Sequence, residues 1–162
     1  MNADEKAIFY IPPPSRWLRL VTIGCGLLLF VWLTPEDNNV WPVAVLGTGA
    51  ALIGSLWLIR QRLGGSRFAI RYVPVGGTLM GGIIGLGGTL ITAGLMFFKN
   101  ALHAHAFWDY PPAMVAAMLT RAPSWALAGA LAGFGVGCLW VWYRSSPTIK
   151  QATIQDAHPD KN

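Results

Sequence analysis

Lys99, His103, His105, Asp109 and Tyr110 lie close together in the chain and are the one set of residues here whose types and spacing could do chemistry. Imidazole is a common zinc ligand and changes charge near neutral pH, and a carboxylate four residues along a helix can fix its tautomer. If helix runs through this stretch, His105 and Asp109 share a face, while His103 points nearly the opposite way, beneath Lys99. If the stretch is extended, His103 and His105 face one way together. A metal site needs further ligands, and the other acids available to that side are Glu36 and Asp37 from a different turn. The stretch therefore reads as a polar loop whose histidines meet water and headgroups. No metal, cofactor or catalytic residue is expected, and Lys99, His103, His105 and Asp109 mark where a polar site would be if the protein has one.

The elements that position this loop are apolar. Of 162 residues 54% are hydrophobic and 12% charged, about half the charge of a soluble domain. Mean hydropathy is +0.46. A net charge of +5 would suggest nucleic acid in a soluble protein, but here the basic residues flank apolar runs, so no nucleic-acid partner is expected. Cys25 and Cys138 both sit inside apolar runs and lack the spacing of a zinc site or a disulfide framework.

Four apolar runs read as membrane helices: residues 17–33, 40–59, 76–98 and 123–143. The third is uncharged and, at 1.5 Å per residue, reaches about 35 Å, enough to cross a bilayer with some tilt. Arg16 and Arg19 at the start of the first run resemble the head of a signal peptide. The small residues of a cleavage site are missing before the acidic turn at 34–39, so this helix is expected to be retained. That turn is short enough to make the first two helices antiparallel neighbours. Pro111 and Pro112 can open a short interfacial helix near 112–121. The fold class expected is an all-α integral membrane protein, an up-down bundle of four helices with the interfacial helix between the third and fourth. Residues 1–16 form a cytoplasmic tail, 17–143 the transmembrane domain and 144–162 a disordered cytoplasmic tail.

Gly77, Gly81 and Gly85 fall four residues apart in the third run, and Gly129, Gly133 and Gly137 repeat the spacing in the fourth. Glycine costs about 1 kcal/mol relative to alanine in an aqueous helix. In lipid it instead lets a neighbouring backbone come close, so both stripes, a glycine zipper in each run, read as packing faces. Gly47, Ala51 and Ser55 form a weaker version in the second run. Gly85, Gly87 and Gly88 have neither the strand nor the lysine of a nucleotide loop around them.

Four crossings gather ten of the 12 Lys and Arg on the side of the two tails, leaving Lys99 and Arg121 on the other. Positive charge near helix ends stays inside, which sets both termini in the cytoplasm of a multi-pass cell-membrane protein. The connection with Arg60, Arg62, Arg67 and Arg71 reads as a topology signal at the lipid–water boundary, with anionic headgroups as the ligand its arginines would hold. The four runs lack Asp, Glu and Lys, against a proton-coupled transporter. The function expected is that of a non-enzymatic accessory or assembly subunit, associating through its glycine faces with the lipid bilayer around it and a membrane-protein partner or a second copy of itself. A passive channel or small transporter would need a polar path. A membrane enzyme would need the outer His/Asp cluster to converge.

Overall fold

The computed structural model describes residues 8–34, 39–102 and 108–145. In chain order these form β1 (Ile8–Tyr10), α1 (Arg16–Leu33), α2 (Val40–Leu63), β2 (Arg67–Ala69), a 3-10 turn (Ile70–Tyr72), α3 (Val73–Leu102), α4 (Pro112–Thr120) and α5 (Ala122–Ser145). Four helical spans are long and apolar enough to cross a membrane: Arg16–Leu33, Val40–Leu63, Ile70–Leu102 and Ala122–Arg144.

Local chemistry fixes the helix ends. Pro12, Pro13 and Pro14 keep the chain extended, and α1 then begins where the Ser15 hydroxyl accepts from the Leu18 N–H at 3.3 Å. Asn39 caps α2 in the same way, its side-chain oxygen accepting from Trp41 N–H at 3.1 Å. All four helices run past the apolar segments that define them in sequence. Arg60 and Arg62 stay helical in the last turn of α2, where their charge opposes the negative end of the helix dipole. Pro74 is accommodated in the first turn of α3, where its missing N–H would have had no partner in the helix. At 30 residues, α3 is about 45 Å long.

α3 is the common neighbour. One of its faces lies against α5, another against α2, and α4 crosses near its C-terminal end. Toward α5 the approach is backbone to backbone. A methyl group added at Gly81 would strike the Gly129 carbonyl and lie 3.2 Å from Gly133 Cα. Gly77 meets the Gly133 carbonyl, Gly85 meets Trp125 and Ala126, and Gly137 meets Pro74. Toward α2, Gly88 lies against Thr48, and Gly47 against Thr92. The threonine hydroxyls of α3 are satisfied locally: Thr78, Thr89 and Thr92 donate to the Pro74, Gly85 and Gly88 carbonyls at 2.8, 2.8 and 2.7 Å. Toward the C-terminal half of α3 these contacts merge into a buried cluster of Trp32, Val43, Leu46, Ala93, Met96, Tyr110 and Met118. α1 stands apart, with Leu18 and Trp32 as its buried side chains.

β1 is not anticipated by the sequence. Residues 8–10, within the stretch read as a tail, pair antiparallel with β2, setting Ile8 against Ala69, Phe9 against Phe68 and Tyr10 against Arg67. Gly65, at φ +88°, turns the chain so that its N–H donates to the Ile11 carbonyl at 2.9 Å. Three-residue strands leave no period to read, and this pair is distant in sequence.

The α3–α5 contact is tested by bulk. Gly81→Leu or Gly133→Leu should lower stability by about 3 kcal/mol, because the added side chain meets backbone that cannot move aside. Leu86→Ala, on an exposed face of α3, should stay within about 1 kcal/mol. Reversible unfolding in detergent measures both, and equal losses would mean that the glycine contact is not what holds the two helices.

Candidate functional site at the C-terminal end of the third helix

The polar cluster is organised around the C-terminal turns of α3. Lys99 belongs to that helix rather than to a loop, and its side chain is fully buried. Its Nζ lies 4.6 Å from the centroid of the Trp32 ring and 5.7 Å from that of Tyr110. Both are within the range where a ring's negative face attracts a cation, worth about 2 kcal/mol when desolvated. Trp32 is turned inward, where its indole N–H finds no acceptor among the described residues.

Asn100, the neighbour of Lys99, holds the returning chain. Its side-chain amide donates to the Tyr110 carbonyl at 2.6 Å, and its oxygen accepts from the Tyr110 N–H at 2.8 Å. The Tyr110 hydroxyl in turn donates to the Asn39 carbonyl at 3.0 Å. One buried tyrosine thus joins the end of α3, the segment before α4 and the cap of α2. Bulky Tyr110 and Lys99 are both sealed from solvent, so the ammonium acts as a fastener between α1, α3 and this segment.

Of the residues singled out by sequence, Lys99 is here and Asp109 stands beside Tyr110 in a bend, half-buried and outside any helix. His103 and His105 lie outside the described residues, as do Glu36 and Asp37. Among the described residues no three His, Cys, Asp or Glu side chains come together to hold a metal. Arg60, Arg62, Arg67 and Arg71 are at the opposite end, around β2 and the C-terminus of α2. Trp32 and Asn100 are the contributors that sequence reasoning missed. An asparagine next to a lysine carries no periodic signal, and only the fold brings Tyr110 back to it.

Comparison with protein-family models, curated proteins and solved structures returns no match.

The clamp gives a graded expectation. Asn100→Ala should cost about 2 kcal/mol, since it strands two buried backbone groups of Tyr110, and Tyr110→Phe about 1 kcal/mol. His103→Ala and His105→Ala should stay within about 0.5 kcal/mol. Unfolding in detergent, together with a metal assay of the purified protein, checks the set. Stoichiometric metal lost on either histidine substitution would make the cluster a metal centre.

Proposed function

We propose that this protein is a non-enzymatic accessory or assembly subunit of a membrane complex. Its helices α1, α2, α3 and α5 form an up-down bundle in the cell membrane, with α4 in the interface and both termini cytoplasmic. The observation that carries the reading is α1. It is long and apolar enough to span the membrane, yet it buries Leu18 and Trp32 near its two ends and leaves Leu20, Ile23, Leu27, Phe30 and Val31 open. Helices associate in lipid through packing, and the glycine faces of α3 and α5 are already occupied by each other. Association with another chain therefore falls to α1, rather than to the glycine stripes.

The interior argues the same way. Thr22, Thr78, Thr89 and Thr92 each give their hydroxyl proton to a carbonyl of their own helix, which leaves little for a solute to bond along the bundle. The one lysine in a described span, Lys99, is enclosed by rings. These features disfavour a channel or an ion-coupled transporter.

Purification from native membrane should yield the chain with a stable partner, either a different subunit or a second copy. Leu27→Ala with Val31→Ala on α1 should release that partner, and Leu139→Ala on an exposed face of α5 should not. A lone monomer whose proteoliposomes pass ions would replace the subunit reading with the channel. For orientation, cysteines at Asn38 and Arg121, in a background lacking Cys25 and Cys138, should react with an impermeant thiol reagent in intact cells. Labelling only after lysis would invert the topology.

A further inference from the structure

The inner end of the molecule gathers arginines from two distant parts of the chain. The Arg60 guanidinium lies 3.5 Å from the Ser15 hydroxyl, next to Arg16 at the start of α1. The β1–β2 pair sets Arg67 opposite Tyr10. Two backbone bonds, Ile11 N–H to the Ser66 carbonyl and Gly65 N–H to the Ile11 carbonyl, hold this strap in place. Arg71 stacks over the ring of Tyr72, 4.9 Å from its centroid, and remains exposed. Arg16, Arg62 and Arg67 are exposed as well, and Arg60 is half-buried.

Among the described residues no carboxylate is at this end. The one described acid, Asp109, adjoins Tyr110 beyond the far end of α3, which is about 45 Å long. Guanidiniums collected with no described carboxylate beside them, each within a few turns of an apolar span, are placed to reach the depth of lipid phosphates. Arginine's fork of donors matches a phosphate in two-point geometry. Exposed Trp17 and Tyr72 supply the aromatic anchors typical of that depth.

We infer that the β1–β2 strap assembles a binding surface for anionic phospholipid headgroups from Arg16, Arg60, Arg67 and Arg71. The strap is part of the site: without it the arginine near α1 and those of the α2–α3 connection are separate charges, and with it they face one headgroup region together. This inference is independent of whether α1 binds a partner.

The test uses the purified full chain in mild detergent, titrated with phosphatidylglycerol or phosphatidylcholine, with retained lipid read by native mass spectrometry. The wild type should prefer phosphatidylglycerol by at least about tenfold. R60Q/R67Q/R71Q should abolish the preference, and R121Q, at the other end of the bundle, should keep it. If the triple variant does not fold, R67Q alone on its exposed strand should cost about fivefold. Deleting residues 2–10 removes β1, two acidic residues and Lys6, a net gain of one positive charge that keeps every arginine, and should also lower the preference about fivefold. Millimolar inorganic phosphate should not displace the retained lipid. Equal retention of the two lipids by the wild type, as for a surface that serves an acidic protein instead, would overturn the proposal. So would an unchanged preference after loss of the strand, or displacement of the lipid by free phosphate.

Discussion

The contact on which the rest of this structure depends is the approach of α3 and α5 without side chains between them. Where Gly81 meets Gly129 and Gly77 meets Gly133, a single methyl would already collide with a carbonyl. In lipid, apolar side chains gain little from leaving one hydrocarbon environment for another, so helix pairing rests on close packing of many atoms over a long seam. Glycine supplies that seam, and its flexibility costs less there because the backbone has no water to bond instead. With α5 fixed along one face of α3, and Gly47 and Thr48 fixed against Gly88 and Thr92 on another, α3 becomes the frame to which the remaining parts attach.

The sequence made the spans legible because each is a long apolar run, uncharged but for Arg19 near the start of the first, and the glycine stripes because they repeat. What it could not show was set by contacts between residues far apart. Lys99 reads as a loop residue because it is charged, and hydropathy ends a helix at the first charge. The helix in fact continues, because Trp32 and Tyr110 provide a place for the ammonium inside the protein. Asn100 looks like an ordinary polar residue until Tyr110 returns beside it. β1 is hidden for the same reason. Its three residues have no pattern of their own, and their partner is on the far side of two membrane spans.

The two ends of the molecule treat positive charge in opposite ways. At the C-terminal end of α3 one lysine is withdrawn from solvent and enclosed by rings, and the tyrosine that helps enclose it also ties three chain segments through its backbone and hydroxyl. At the N-terminal end of α3 the arginines gather around a small sheet and the extended Pro12–Pro14 segment, most of them exposed. A buried ammonium acts through fixed neighbours and contributes order; exposed guanidiniums act on whatever anion the surroundings bring.

This difference bears on α1. Its C-terminal end is pinned where Trp32 covers Lys99, and its N-terminal end where Ser15 caps the helix beside Arg60 and the strap. Between those points little of its surface is buried in its own chain. A helix anchored at both ends but unpacked along its middle keeps its place and direction in the membrane while its apolar side stays open. That geometry suits the docking role proposed for α1, since a partner would bind a surface already oriented and need not supply the ordering of α1 itself.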